Sequence, residues 1–366
     1  MIHFVVPAAH DAMMREYLEL WGRDVAPRLR VVHAESLPGL RSFPRGTYVL
    51  SALDQYGPAM ATFIAACHTA LSESGDARFL NHPSQTLQRF ALLDELYRRG
   101  RNTFRAIRVG DDVQALRYPV FVRDESTHDG ALSPLLHSPA EVEAAVGRAL
   151  VQGRQARHLL LVEFCDTADA DGYYRKYSAF VVGRHIVPRS LSYARDWMLK
   201  FQGSEFSRRM AEEERDYVLT NPHGVVLREL FDIANVGYGR IDYAVKDGRI
   251  QTWEMNLNPT IGRGLRASTG KVPAELDAIR KVTKHHFYRC FREAWEDVDV
   301  ISSDAAEVPV EIEPALVQRA LAIDGSRSGW LGTVRRVLRP AKAVIAPFVT
   351  LALPVIGRVA IRRARS

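Results

Sequence analysis

The sequence predicts an α/β (α+β) protein, on three observations. Residues 1 to about 75 alternate apolar, strand-like runs with helical patterns, the signature of a small lobe with a parallel sheet. Strands and helices continue, mixed, to about residue 298. Within that stretch, Gly237–Pro259 reads as two β-runs joined by Lys246-Asp247-Gly248. At 366 residues, 47% hydrophobic and 25% charged, the chain can bury a large core arranged in two or three lobes.

In order along the chain, Ile2–Val6 and Thr47–Leu53 read as buried strands, and Asp11–Trp21 and Ala59–Leu71 as helices. After Asn81-His82-Pro83, the helical spacing of Leu87, Phe90, Ala91, Leu93 and Leu96 predicts a helix over Ser84–Arg99, stopped by Gly100. Tyr118–Arg123 is a short strand and Asp124–Gly130 a polar loop holding His128-Asp129-Gly130. Ser138-Pro139-Ala140-Glu141 is a capping-box start for a helix through Leu150. His158–Phe164 is a buried strand ending in Glu163, and a loop of small and acidic residues, Cys165–Gly172, leads to the strand Tyr177–Val182. Gly183-Arg184 turns the chain into Ile186–Pro188, and helices are expected over Phe206–Tyr217, Val225–Ala234 and 272–297. Beyond Val300 the acidic stretch Ser302–Glu313 reads as an irregular linker. There are no internal repeats.

The β-hairpin carries the chemistry. A three-residue loop with Gly248 left-handed after a type I turn would set Asp242 opposite Thr252 and Glu254 opposite Arg240. Asp242, Glu254 and Asn256 would then share one face. A two-residue loop would shift the register by one and part the two carboxylates. Two carboxylates and an amide on one face suit a hard cation such as Mg²⁺, which takes one or two carboxylates together with substrate phosphates. A solvated hairpin is the plainer alternative. Against it, acidic residues are disfavoured in strands, yet Glu254 sits between Trp253 and Met255.

Composition narrows the remaining classes. The formal charge is +6, and much of the excess lies in the C-terminal tail. No aromatic stacking platform is interleaved with those basic residues, so nucleic acid is not an expected partner. Cys67, Cys165 and Cys290 are widely spaced and show no metal-ligand or CxxC pattern, which suits a reducing, cytoplasmic setting. No signal-type segment opens the sequence. The tail holds an uncharged run, Ala343–Gly357, with Arg335, Arg336 and Arg339 before it and Arg362, Arg363 and Arg365 after it. It can pack on its own domain, or lie peripherally on an anionic membrane or a partner. Fifteen residues broken by Pro347 and Pro354 are too few for a confident span.

Taken together, a small α/β lobe, a strand bearing Arg123, a glycine loop, a strand ending in Glu163 and a hairpin with Asp242 and Glu254-Met255-Asn256-Leu257-Asn258-Pro259 resemble the ATP-grasp superfamily. Asp242 lies twelve residues before Glu254, and Glu163 about eighty before Asp242. The resemblance covers roughly residues 80–270, with the preceding lobe similar to the one such proteins often carry. The expected organisation is an N-terminal α/β lobe (1–78), an ATP-grasp domain (79–298), a linker (299–326) and a basic amphipathic tail (327–366).

The resemblance implies ATP held between two β-sheets with Mg²⁺ (or Mn²⁺) on its phosphates, and Asp242, Glu254 and Asn256 as metal ligands. Arg123 stands where the family usually has a lysine on the phosphates, and Arg89 is a candidate second phosphate ligand. The loop Ser126–Gly130, with His128, Asp129 and a single glycine, would cover the phosphates, whereas the family's version is glycine-rich. Glu163, Phe164 and Cys165 would meet adenine through the backbone. Asp169 or Asp171 would contact ribose, and the sequence does not choose between them. Lys176, Arg189, Arg263 and Arg266 are candidates for phosphate or an anionic substrate. Arg240 would stabilise charge on the transferring phosphoryl group alongside Arg123.

The implied activity is an ATP-dependent ligase that activates a carboxylate as an acyl phosphate for attack by an amine, with small-molecule substrates. No Ser/His/Asp or Cys/His set competes with that reading. Two alternatives stand beside it: an ATP-binding regulatory or scaffold protein with a degenerate site, and an ATP-grasp phosphotransferase. The sequence leaves the oligomeric state open.

Overall fold

Five consecutive buried residues, Ile2–Val6 (β1), need apolar cover on both faces, and a parallel sheet between helices supplies it. In this computed structural model β1 lies between Leu29–His33 (β2) and Gly46–Leu50 (β4), with Ala77–Leu80 (β5) beyond β4, all parallel. The crossovers carry Ala12–Leu20 (α1) and Pro58–Glu73 (α2). The residues described are 1–127, 130–198, 207–262, 273–299, 307–324 and 346–363.

After the lobe, Arg89–Arg98 (α3) is shorter than the periodicity suggests. The residues before it are instead tied down locally: His82 Nδ1 accepts from the Ser84 and Gln85 amides at 3.1 and 3.2 Å. Ala106–Arg108 (β6), Val120–Asp124 (β7) and Leu159–Glu163 (β8) form a small antiparallel sheet ordered β6-β8-β7. Pro139–Val151 (α4) packs on β7. Its start is the expected capping box: Ser138 Oγ accepts from the Glu141 amide, and the Glu141 carboxylate reaches back to the His137 amide at 2.9 Å.

A second antiparallel sheet is ordered β10-β9-β11-β12, from Tyr174–Val182 (β9), His185–Ala194 (β10), Tyr238–Lys246 (β11) and Arg249–Asn256 (β12). Arg208–Thr220 (α5), Gly224–Ala234 (α6) and Ala274–Val298 (α7) complete this unit. Phe180 pairs with Arg240 in register and meets Phe287 and Phe291 of α7 at ring distances of 5.7 and 5.0 Å. One continuous core joins this sheet to the N-terminal lobe, with Trp295 of α7 between Phe4 and Tyr238.

The segment expected to be an irregular linker contains ordered elements. Glu307–Pro309 (β13) pairs antiparallel with Ser42–Pro44 (β3), and Pro314–Asp324 (α8) packs on α2. Val308 is buried there, an apolar anchor between Glu307 and Pro309. The C-terminal helix, Ala346–Arg363, packs on α4. Backbones approach closely because both sides offer glycine: a Cβ on Gly147 would overlap the Leu353 carbonyl, and one on Gly357 the Glu143 carbonyl. Arg358 pairs with Glu143 at 2.9 Å. Among the described residues no helix is long and apolar enough to cross a membrane. Arg335, Arg336 and Arg339 lie outside the described residues.

Candidate functional site

The hairpin β11–β12 is joined by two residues, not three. Asp247 and Gly248 have φ of 50° and 72°, both left-handed as a type I′ turn requires. From the closing pair Lys246↔Arg249, regular pairing would set Asp242 against Trp253 and leave Glu254 on the other face. A bulge between Asp242 and Tyr243 corrects this. Tyr243 pairs with Thr252 but Asp242 with Glu254, so Trp253 is the extra residue. Arg240 then faces Asn256. The expected pairings, Asp242 with Thr252 and Glu254 with Arg240, are therefore wrong, whereas Asp242, Glu254 and Asn256 do share a face.

Cations gather on that face. Arg89 Nη2 donates to Glu254 Oε2 at 2.5 Å, and Arg123 donates to the same oxygen. Arg240 grips Asp242 with Nε at 2.9 Å and Nη2 at 3.3 Å. Lys176 Nζ lies 3.5 Å from Asp242 Oδ2. Four cations thus face two carboxylates, and Asp242 is only 6% exposed. Burial is the dominant influence on Arg123 and lowers its pKa, with the Glu254 charge pulling the other way. Its Nε is buried without a hydrogen-bond partner among the described residues. A face this positive, with an unsatisfied guanidinium donor, fits a polyanion such as a nucleotide triphosphate.

The oxygen donors on this face fit Mg²⁺ in kind. Asp242 and Glu254 are opposed carboxylates, and Asn256 Oδ1 accepts from the Asn258 amide at 2.8 Å. Among the described residues no three His, Cys, Asp or Glu side chains gather as a metal group. A metal here would draw its remaining ligands from phosphate and water, as Mg²⁺ does.

Arg89 does more than sequence reasoning asked of it. Besides Glu254, its Nη1 donates to the carbonyls of Asp124, Glu125 and Thr127 at 3.1, 3.2 and 2.7 Å. It therefore ties the β7 loop to the hairpin. His128 and Asp129 of that loop lie outside the described residues, as do Arg263 and Arg266. Gly130 follows with φ of 86°.

The hinge residues are differently employed. The Glu163 carboxylate, 2% exposed, accepts from the Arg117 amide at 2.9 Å, the Arg105 amide at 3.2 Å and the Arg117 guanidinium at 2.6 Å. The Glu163 and Phe164 amides donate to Arg105 and Pro119. What the strand end can still offer a ligand is its remaining backbone. Cys165 is buried, 3.6 Å from Thr103 Oγ1, and burial raises its thiol pKa, so it is no ready nucleophile. An apolar wall surrounds this end: Phe121, Leu160, Val162, Trp197 and Trp253. Trp197, within 5.0 Å of the Phe121 ring, carries no motif and was not singled out from sequence. Of the two ribose candidates, Asp169 pairs with Arg175 and accepts from the Tyr173 amide at 2.8 Å, while Asp171 is exposed, its carboxylate 3.9 Å from Arg209.

Asn81 and Asn258 hold the floor in place. Asn81, with φ of 67°, donates to the Leu50 and Tyr238 carbonyls at 2.9 and 2.8 Å and accepts from the Gly237 and Tyr238 amides. Asn258 Nδ2 donates to the His10 carbonyl at 3.0 Å. Both bring the hairpin against the carboxyl ends of β1 and β4, where open parallel sheets keep their binding crevice.

No family model matches the chain, and no curated protein matches it in sequence. Among solved structures, D-alanine–D-alanine ligase from Bacillus anthracis complexed with ATP aligns over 81% of this chain and 99% of its own, at 12% identity and TM-score 0.43. A RimK domain ATP-grasp protein from Sphaerobacter thermophilus aligns over 81% and 99%, at 13% identity and TM-score 0.43. D-cycloserine synthetase DcsG aligns over 80% and 99%, at 15% identity and TM-score 0.44.

Proposed function

We propose that the protein is a Mg-ATP-dependent ligase that joins a small-molecule carboxylate to an amine. One observation carries the reading: the bulge at Trp253 sets Asp242 opposite Glu254, inside a ring of Arg89, Arg123, Arg240 and Lys176. A structural ion-pair network needs no such surplus of cations over carboxylates, whereas a site for a triphosphate and a divalent cation does.

In this reading the substrate carboxylate attacks the γ-phosphorus and ADP leaves; the amine then attacks the acyl carbon, and phosphate leaves with the amine's proton passing to solvent. The chain's own part is binding and orientation. Asp242 and Glu254 hold the metal, with Asn256 beside them. Arg123 and Arg89 turn from Glu254 to the phosphates, where their forks spread charge. Arg240, clamped on Asp242, stays beside the reacting centre to stabilise developing negative charge. The apolar wall around Trp197 excludes water from the base.

The test is ADP release by the purified chain with pooled carboxylates and amines. Mg²⁺-dependent ADP formation that needs both pools is expected, with inorganic phosphate as coproduct. Asp242→Asn should remove it, by about 10³-fold, while a fluorescent ATP analogue still binds. Nucleotide binding without ADP formation in any pool sinks the ligase and leaves the regulatory reading. A phosphorylated product in place of free phosphate gives the phosphotransferase instead.

A further inference from the structure

Beside the carboxylate face, three polar groups keep spare hydrogen-bonding capacity among the described residues: Tyr288 is buried, and Arg189 and Lys284 are half-buried. Arg189 leaves β10 at its bulge, and its guanidinium lies over the Phe287 ring at 4.6 Å. Among the described residues its hydrogen bonds go to one acceptor, the Ile261 carbonyl, from Nε and Nη2 at 3.3 Å each. Lys284 holds its Nζ 3.6 Å from the centre of the Trp21 ring and makes no ion pair among the described residues. Tyr288 stacks on the same Trp21 at 4.3 Å and is 7% exposed; its hydroxyl is buried and makes no hydrogen bond among the described residues.

These groups converge. Burial weakens the hold of Lys284 on its proton first, and Arg189 adds to it, against the pull of Asp277. Arg189 is lowered chiefly by burial, against the upward pull of Tyr288 and Glu214, with Arg240 adding a smaller downward push. Glu214 accepts from the Leu191 amide at 3.3 Å; burial raises its pKa while the Arg189 charge opposes that, so the two act on each other without a hydrogen bond between them among the described residues. The Glu16 charge acts on Tyr288 and that of Asp277 on Lys284, and Asp277 is itself paired with Lys281 at 2.8 Å. Gly262 closes the same spot, its Cβ position 3.7 Å from both the Tyr288 hydroxyl and the Trp21 ring.

Buried cations are ordinarily paired, because an unpaired charge carries its desolvation cost without return. A guanidinium fork, an ammonium and a phenol between aromatic walls form the donor set of an oxyanion site. Its place is set by one loop: Arg240 donates to the Thr260 carbonyl at 3.4 Å, and Arg189 to the next residue, Ile261. The site therefore adjoins the reacting face.

We infer that Arg189, Lys284 and the Tyr288 hydroxyl bind a carboxylate group of the substrate whose other end reaches Asp242 and Glu254. The identity of that molecule as a substrate rests on the ligase reading; the anion site itself does not, and it is measured without turnover.

The experiment is calorimetric titration and thermal unfolding of the full chain with Mg²⁺ and a non-hydrolysable ATP analogue. The probes are D- and L-alanine, glutamate, succinate and glutarate, each beside its amide, together with inorganic phosphate. At least one carboxylate is expected to bind, with its amide weaker by about tenfold or more. Arg189→Met and Lys284→Met should each weaken that carboxylate by a similar factor and leave the nucleotide analogue unaffected. Tyr288→Phe should act in the same direction, less strongly. Without any anion, Lys284→Met should raise the thermal midpoint, since it removes an uncompensated charge; a merely structural lysine would lower it. Should Arg189→Met fail to fold, Lys284→Met and the comparison of acids with amides on the unaltered chain still decide. Carboxylates that bind no better than amides, or equally well to both variants, overturn the inference, as does binding of none. Phosphate bound through these residues in place of every carboxylate overturns the carboxylate assignment. Anion binding without ADP formation leaves this site standing and removes the ligase.

Discussion

Glu254 serves two guanidiniums through one oxygen, an arrangement that holds only while its charge is present. Arg89 and Arg123 are both largely buried, with side chains 7% and 12% exposed. In Glu254→Gln the amide oxygen can still accept from both guanidiniums, but neither bond is charge-assisted any longer and both cations lose their counter-charge. The expected result is a loss of about 2–3 kcal/mol in denaturant unfolding without nucleotide, partly restored by MgATP, whose phosphates replace the missing charge. ADP formation should fall by about 10²-fold or more. Unchanged stability would show that the two arginines find other acceptors, and that Glu254 is not their anchor. Arg123→Lys should be the milder change for binding yet not silent, since an ammonium cannot reproduce a fork over phosphate.

Among the elements, the hairpin shows where sequence reasoning reaches its end. That Asp242, Glu254 and Asn256 share a face was legible, because strand periodicity and the Glu-x-Asn spacing both point there. The means were not. Asp247-Gly248 is itself a good type I′ signal, but it leads to the wrong face unless a bulge intervenes, and nothing local to Trp253 announces one. The partners of Arg89 were equally hidden, since they depend on a loop folded back from residues 124–127. Gly248→Val should cost about 1–2 kcal/mol, the penalty of a left-handed β-branched residue, and be read as a lower urea midpoint with the cation face intact. The C-terminal helix makes a sharper case. Its charge pattern suggested a tail, while the feature that docks it is a pair of glycines, Gly147 and Gly357, meaningful only once two helices cross. Gly147→Leu should overpack that crossing by about 1–3 kcal/mol and make the C-terminal helix sensitive to limited proteolysis. Val355→Ser, on the same helix but 60% exposed, should stay within about 0.5 kcal/mol. Equal effects from the two would mean that the helix is not held at the glycines.

For the whole molecule, acid stability follows from where its histidines are buried. His3, His68, His82, His223 and His286 all have lowered pKa values, in each case with burial as the first cause. His68 is the furthest displaced, from 6.5 down to about 4, between the rings of Phe79 and His82 at 4.3 and 4.2 Å. A folded value below the unfolded one means that the unfolded chain takes up protons first as the pH falls. The stability held above about pH 6.5 is therefore lost progressively on acidification, until His68 also protonates in the folded state near pH 4. Glu214 opposes this trend, because burial raises its pKa and acid relieves a buried charge, but it is one group against five. Asp11, lowered by Arg15 and then His33, adds to the loss only in the carboxylate range below. The thermal midpoint should therefore fall steadily from pH 7.5 to 4.5, and His68→Gln should flatten part of that slope while leaving the midpoint above pH 7 little changed. His68 and His82 join α2 to the end of β5 in the N-terminal lobe, so the early loss should appear there. Hydrogen exchange as a function of pH separates the lobes: amides of β4 and β5 should lose protection at higher pH than those of β11 and β12. A midpoint that holds or rises toward pH 5, or loss of protection starting in the hairpin, would mean that the buried histidines do not govern acid unfolding.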